Sequence, residues 1–88
     1  MNTYGITYQG CDTVPALVSA RTVQAAAEYA VEHCTMANGS SIPTSESNLA
    51  IENPRGGKTF FDVAANGDVT PTCRVNRDGR WIELGGKS

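Results

Sequence analysis

The sequence predicts an α+β fold in which one α-helix packs on one face of an antiparallel sheet of about five to six strands, in the order β-β-α-β-β-β-β. Two observations predict it. A single alanine-rich segment has helical periodicity, and the other apolar segments have strand alternation and are separated by turn residues. The chain has 88 residues, of which 40% are hydrophobic and 18% charged. That length supports one small core, so we expect residues 1–88 to form a single domain with a flexible tail at residues 85–88.

The chain opens with a predicted hairpin. Three large side chains alternate with smaller residues, as in a strand with one buried face: Tyr4, Ile6 and Tyr8. A turn at residues 10–12 leads to a return strand from Thr13 to Ala20, which contains Pro15. Because proline has no N–H to donate, we expect this strand to lie at a sheet edge or to contain a bulge.

The clearest element is an alanine-rich helix, predicted from Thr22 to Ala37. Thr22 has the hydroxyl that an N-cap needs, alanine has the highest helix propensity, and Asn38-Gly39 is a helix stop signal. One side of the helix is apolar or small: Val23, Ala26, Ala27, Ala30, Val31 and Cys34. The other side is polar: Gln24, Glu28 and Glu32. The small side chains allow the helix to lie close to a sheet.

The second half of the chain is predicted to consist of strands joined by turns. Residues 39–48 are serine-rich and form a surface loop, after which Leu49 and Ile51 begin a strand that residues 53–57 stop. Asn66-Gly67 is a two-residue hairpin signal typical of a type I′ turn. Residues 76–79 form another turn before the last strand, residues 80–84. We expect Gly79 to be a bulge residue, so that Asn76 pairs with Arg80.

The hairpin around Asn66-Gly67 carries large apolar side chains on both sides. If Asn66 and Gly67 are the central turn residues, Ala65 pairs with Asp68, and strand alternation sorts the other side chains. One side contains Phe60, Asp62, Ala64, Val69, Pro71, Cys73, Val75 and Trp81. The other side contains Phe61, Val63, Thr70, Thr72, Arg74, Ile82 and Leu84.

A single helix covers only one of these two sides. We expect the side of Phe60 to be the core beneath the helix, together with Cys73, Val75 and Trp81. The opposite side would then expose an apolar patch of the kind that marks a binding surface, formed by Phe61, Val63, Ile82 and Leu84. The alternative is that the first hairpin, or a curl of the sheet, covers this patch.

Charge and cysteine content limit the partners and the compartment. Seven Lys and Arg residues against nine Asp and Glu give a net charge of −2, which disfavours direct nucleic-acid binding. No stretch resembles a signal peptide or approaches the ~20 apolar residues of a membrane span, so we expect a cytoplasmic protein. Three scattered cysteines without a Cys-x-x-Cys pair are expected to be reduced thiols.

The residues do not form a recognisable catalytic or metal-binding pattern. His33 is the only histidine, and because it adjoins Cys34 on a helix, the two side chains diverge by about 100°. Gly56-Gly57-Lys58 lacks the strand and helix context of a phosphate loop. We therefore expect no enzyme activity, no metal and no cofactor.

The C-terminal Leu84-Gly85-Gly86 resembles the diglycine tail of ubiquitin-like β-grasp proteins, which also have a hairpin–helix–strands order. This resemblance implies a modifier or sulfur carrier from which Lys87 and Ser88 are trimmed. The long hairpin at Asn66-Gly67 departs from that pattern. The alternative is a frayed chain end.

The N-terminal third resembles small phage anti-CRISPR proteins that inhibit type I systems. The similarity is carried by Met1-Asn2-Thr3-Tyr4-x-Ile6, by Val18-x-Ala20-x-x-Val23-x-Ala25-Ala26-Ala27-x-x-Ala30, and by the final Ile82-Glu83-Leu84. It implies a non-enzymatic inhibitor in the cytoplasm of an infected bacterium. Such a protein binds protein subunits of the CRISPR–Cas surveillance complex and blocks target DNA binding or nuclease recruitment.

The residues expected to contact a partner are of two kinds. Acidic side chains would meet the basic, DNA-facing surfaces of the complex in place of phosphates: Glu28, Glu32 and Glu46. Apolar side chains would come from the predicted patch: Phe61, Val63, Ile82 and Leu84. A third interpretation of the chain is a phage accessory domain that forms a homodimer through an open sheet face.

Overall fold

The computed structural model describes residues 1–84 and confirms the predicted fold class and element order. The elements are β1 (Asn2–Tyr8), β2 (Cys11–Ala20), α1 (Val23–His33), β3 (Ser45–Glu52), β4 (Lys58–Val63), β5 (Val69–Val75) and β6 (Trp81–Glu83). The strands form one sheet in the order β2-β1-β3-β4-β5-β6, and every neighbouring pair is antiparallel. No helix in this part of the chain has the length and apolarity needed to cross a membrane. The predicted flexible tail, residues 85–88, lies outside the described residues.

The first hairpin has a two-residue turn. Gln9 and Gly10 both have positive φ, 52° and 79°, and Tyr8 pairs with Cys11, as in a type I′ turn. Strand β2 lies at the edge of the sheet, and its register with β1 shifts in the segment that contains Pro15. The expectation from this proline is therefore confirmed.

The helix begins where the sequence predicts and ends earlier. Thr22 is the N-cap, and its hydroxyl accepts a hydrogen bond from the Ala25 N–H at 3.0 Å. The last helical residue is His33 rather than Ala37. Val14 and Thr35 exchange two backbone hydrogen bonds, of 2.8 and 2.9 Å, so pairing with the edge strand β2 removes this segment from the helix.

The predicted type I′ turn at Asn66-Gly67 is wrong. The Ala64 N–H donates to the Asp68 carbonyl and the Gly67 N–H donates to the Ala64 carbonyl, both at 2.9 Å, while Gly67 has a φ of 91°. This is a type I turn followed by a glycine bulge, so Asp68 pairs with Ala64 instead of Ala65. The same pair of hydrogen bonds occurs at Met36–Ser40, Asn53–Gly57 and Asn76–Arg80, the last as predicted.

The one-residue change in this turn alters which side chains share a side of the sheet. Val69 pairs with Val63 and therefore joins the side of Phe61, where the sequence placed it with Phe60. A register shift between Phe60 and Phe61 then restores the predicted pairing of Phe60 with Cys73. Phe61 is 0% exposed, and Val63 and Val69 are also buried.

The side of Phe61, and not that of Phe60, is therefore the one that the helix covers. Cross-strand pairing extends from Phe61 to Leu49 and on to Tyr8, all buried, and Ile6 pairs with the buried Ile51. Apart from Phe60, these strands place their large apolar side chains on this side and small or polar residues on the other, so the helix covers the larger apolar surface. Three fully buried alanines, Ala26, Ala27 and Ala30, let α1 approach closely.

The segment between helix and sheet contributes more to the core than its serine-rich sequence suggests. Ile42 is buried in the core, and β3 begins at Ser45 instead of at Leu49.

The start of the helix contacts a strand far from β2 in the sheet. The Gln24 side-chain amide donates a hydrogen bond to the Val69 carbonyl of β5 at 3.0 Å. Only Arg21 and Thr22 connect the edge strand β2 to the helix, so the start of the helix contacts both β2 and β5.

Candidate functional site

The most exposed Phe, Tyr or Trp side chain among residues 1–84, that of Trp81, lies on the side of the sheet that the helix leaves uncovered. The rings of Phe60 and Trp81 stack with centroids 5.7 Å apart and an interplanar angle of 16°, and Trp81 is 66% exposed. Strand pairing positions them, because Phe60 lies opposite Cys73 on β5 and Trp81 lies opposite Val75 two residues further on. Grouping these four residues together is confirmed, but their predicted place in the core is wrong.

We define the open face as the uncovered side of the sheet around this pair. Its apolar centre contains Ala50, Phe60, Cys73, Val75 and Trp81, and charged residues surround it: Glu52, Lys58 and Glu83. Their positions follow from the register, since Phe60 pairs with Ala50 and Cys73, while Lys58 pairs with Glu52 and Val75. The face continues to the far edge strand, where Leu17, opposite Gly5, is 65% exposed.

A polar network fixes the backbone beside Phe60. The Ser47 N–H donates to Asp62 Oδ1 at 2.9 Å, and the Ser47 and Thr72 hydroxyls lie 2.7 Å apart. The Thr72 hydroxyl donates in turn to the Phe60 carbonyl at 3.2 Å. Ser47 has a φ of 53° at the irregular part of β3. The network therefore holds strands β3, β4 and β5 together at one end of the open face.

The acidic residues that the sequence singled out lie in two places. Glu28 and Glu32 are exposed and line a groove of about 510 Å³ between α1 and the β4–β5 turn, where Asp68 is the third carboxylate. Glu46 is also exposed, but it lies in a different groove, beside Asp62. The structure thus brings Glu28 and Glu32 together and separates Glu46 from them.

A second charged groove was not predicted from the sequence. We call it the arginine groove: Arg55, Arg74 and Arg77 line a groove of about 440 Å³ between the β3–β4 and β5–β6 turns. Gly56 and Gly57, both with positive φ, let the turns meet, because a Cβ on Gly56 would lie 2.9 Å from Arg77 Cβ. The sequence signals were the concentration of basic residues after residue 50, which predicts a mildly basic last hairpin, and an arginine in each of these two turns.

The apolar residues predicted to contact a partner are mostly covered. Phe61 and Val63 are buried beneath the helix, so their predicted exposure is wrong. The reason is that the helix covers the side of the sheet on which these two residues lie. Ile82 pairs with Arg74 on that same side and is half-buried. Leu84 is half-buried, and its N–H donates to the Thr72 carbonyl at 2.9 Å. Gly85 and Gly86 of the predicted diglycine tail lie outside the described residues.

The three cysteines are free, as expected, and differ in accessibility. Cys11 is exposed, Cys73 is half-buried and Cys34 is buried. Burial raises the pKa of the Cys34 thiol above its ordinary value of 9.0, and a hydrogen bond with the Thr13 side chain partly opposes this shift. Cys34 is thus neutral at physiological pH and poorly suited to act as a nucleophile.

Groups that bear chemistry are dispersed within residues 1–84. His33 contacts the Tyr29 ring at a centroid distance of 4.4 Å and lies 3.6 Å from Glu32, on the helix. Residues 1–84 contain no group of three or more His, Cys, Asp or Glu residues arranged to hold a metal ion. Comparison of the chain with protein-family models, with curated proteins and with solved structures gave no match.

Proposed function

We propose that this chain is a non-enzymatic, protein-binding inhibitor whose partner docks on the open face. The observation that carries the proposal is the Trp81 side chain, which is 66% exposed and stacked on Phe60. Tryptophan is among the residues most enriched at binding hot spots, and a large apolar side chain left in water is stabilised when a partner covers it.

The rest of the open face has the composition of an interface. An apolar centre is surrounded by Glu52, Lys58 and Glu83, as in protein interfaces with an apolar core and a polar rim. The stacking contact with Phe60 holds the Trp81 ring before any partner arrives. Binding therefore loses less side-chain entropy than it would with a freely rotating tryptophan.

We propose protein subunits of a bacterial type I CRISPR–Cas surveillance complex as the partner. Support comes from the N-terminal similarity to type I anti-CRISPR proteins, from Met1 to Ala30. The matching residues include Tyr4, Ile6 and Ala26, which are core residues, so the similarity concerns the fold and not the contact surface. Inhibition would follow from blocking target DNA binding or nuclease recruitment in the host cytoplasm.

The acidic groove supplies a second contact of matching chemistry. Glu28, Glu32 and Asp68 line it, and among residues 1–84 their carboxylates form no ion pair with lysine or arginine. Carboxylates without a lysine or arginine partner are attracted to basic, DNA-facing protein surfaces, where they replace phosphates.

A second candidate function is homodimerisation through the open face, which the same exposed Trp81 favours. Two copies related by a two-fold axis would each cover the other's apolar centre. This candidate predicts a dimer of the purified chain without any partner.

The proposal is tested by pull-down with purified type I effector complexes. The variants are Trp81→Ala and, as a matched control, Tyr29→Ala, because Tyr29 is an aromatic residue 45% exposed on the helix side. We expect a complex to retain the wild-type chain and the Tyr29 variant and to lose the Trp81 variant. Failure of every type I complex to bind the wild-type chain would refute the inhibitor function. Equal retention of both variants would refute only the open face as the contact surface.

A further inference from the structure

Positive charge is concentrated at one end of the sheet, although the whole chain is acidic. Five of the seven basic residues lie between residues 55 and 80: Arg55, Lys58, Arg74, Arg77 and Arg80. The acidic groove contacts β5 at Val69 and Thr70, whereas the arginine groove contacts it at Arg74 and Val75. The net charge of −2 therefore conceals an acidic groove at one end of the sheet and a basic groove at the other.

The arginine groove is shaped by tightly packed backbone. A Cβ on Gly57 would lie 2.6 Å from the Val75 carbonyl oxygen, and Gly56 lies against Arg77. The two turns interlock at these glycines, and Arg55 and Arg77 line the groove between them. Arg74 extends from β5 into the same groove. The fold thus places three arginines from separate segments of the sequence around one groove.

These cations lack protein counter-ions in the part of the chain that the structure describes. No ion pair joins Arg55, Arg74 or Arg77 to a carboxylate within residues 1–84. Asp78, the one acidic residue of the groove, accepts a hydrogen bond from the Arg80 N–H at 3.2 Å as part of the turn. Like charges gathered without counter-ions repel each other, and an anionic ligand would relieve that repulsion.

We propose that the arginine groove binds the phosphate backbone of a single-stranded nucleic acid. Guanidinium groups match phosphate oxygens with paired hydrogen bonds, and a positively charged groove is how proteins follow a single strand without reading its sequence. The exposed Arg80 lies directly after the β5–β6 turn that forms one side of the groove and adds charge at the same end of the sheet, which favours a chain of phosphates over one isolated ion. This activity goes beyond the proposed inhibitor function and does not depend on it.

The test measures fluorescence anisotropy of a labelled oligo-dT and oligo-U of about 15 nucleotides with the purified full chain. The variant is Arg55→Gln with Arg77→Gln, and the matched control is Arg21→Gln, because Arg21 is exposed but lies at the β2–α1 junction. We expect the double variant to bind about tenfold or more weakly, while the control binds as wild type. The slope of log K against log salt is negative, and its magnitude should decrease by about 1.4 in the double variant, since each phosphate contact with a single strand contributes about 0.7.

Competitors separate the sources of negative charge. Polyglutamate should displace the oligonucleotide much less effectively at equal charge, and inorganic phosphate should do so only at far higher concentration. Equal competition by polyglutamate would reassign the groove to an acidic protein surface and overturn the proposal. Full displacement of the oligonucleotide by millimolar phosphate would also overturn it. So would a double variant that unfolds at the same temperature as the wild type and binds the oligonucleotide with the same affinity. None of these outcomes bears on the pull-down, so the two proposals fail separately.

Discussion

Phe60 and Phe61 are neighbours in sequence but lie on opposite sides of the sheet: Phe61 is fully buried beneath the helix, whereas Phe60 stacks on the exposed Trp81. Successive side chains of a strand alternate between the two sides. One phenylalanine therefore stabilises the fold, and the other forms the centre of the open face. The two positions should respond very differently to the same truncation.

Truncation of the two phenylalanines is the first prediction. Phe61→Ala should lower the free energy of unfolding by about 3–5 kcal/mol, because it leaves a cavity in a packed core. Phe60→Ala loses a half-buried ring and one aromatic contact, so we expect about 1–2 kcal/mol. Urea unfolding of both variants measures the difference. A larger loss for Phe60→Ala than for Phe61→Ala would contradict the assignment of the covered side.

The tight packing of the turns beside the arginine groove gives the second prediction. Gly57 and Gly67 both have positive φ, 84° and 91°, where a Cβ costs about 1–2 kcal/mol. A Cβ on Gly67 would meet no atom within 4 Å, whereas one on Gly57 would lie 2.6 Å from the Val75 carbonyl oxygen. Thermal unfolding should therefore show a greater loss for Gly57→Ala than for Gly67→Ala. Equal losses would mean that the turns do not interlock.

The Cys34 thiol gives a prediction about pH. Its pKa is raised in the folded protein by burial, from an ordinary value of 9.0, so the unfolded chain loses this proton at a lower pH. Below pH 9.0 the thiol is protonated in both states, and the free energy of unfolding is unaffected by its titration. As the pH rises further, the unfolded chain loses the proton first, so the free energy of unfolding should decrease. Denaturant titrations of the wild type and Cys34→Ala should show a steeper decline for the wild type above that pH. Parallel profiles would contradict a raised pKa.

The oligomeric state separates the two candidate functions of the open face. If the inhibitor proposal is correct, analytical ultracentrifugation of the purified chain should give a monomer, and Trp81→Ala should leave the mass unchanged. A wild-type dimer that Trp81→Ala converts to a monomer would favour homodimerisation instead. Tyr29→Ala controls for the loss of an exposed aromatic ring elsewhere.

The sequence was sufficient for the element order, because each element has a local signal. Alanine content and the Thr22 cap predicted the start of the helix, and Pro15 predicted the edge strand. The end of the helix was missed because Thr35 pairs with Val14, a contact between residues far apart in the sequence. Local propensity contains no information about such pairing.

The candidate site depends on strand register and on contacts between separate turns, which are also long-range features. The side of the sheet that is buried follows from the alignment of β4 with β3 and β1, where Phe61 lies opposite Leu49 and Leu49 opposite Tyr8. A one-residue difference in the turn at Asn66-Gly67 also moved Val69 to the other side. The arginine groove joins two separate turns, so no single segment of the sequence could reveal it.

We propose that a partner covers Trp81, so the affinity of a type I effector complex for this chain should depend on the Trp81 side chain. Titration of the complex onto immobilised wild-type, Trp81→Ala and Tyr29→Ala chains gives three dissociation constants. We predict equal values for the wild type and the Tyr29 variant, and a value about 30-fold or more weaker for the Trp81 variant, the effect of losing a hot spot of about 2 kcal/mol. Equal affinity of the Trp81 variant and the wild type would contradict the claim.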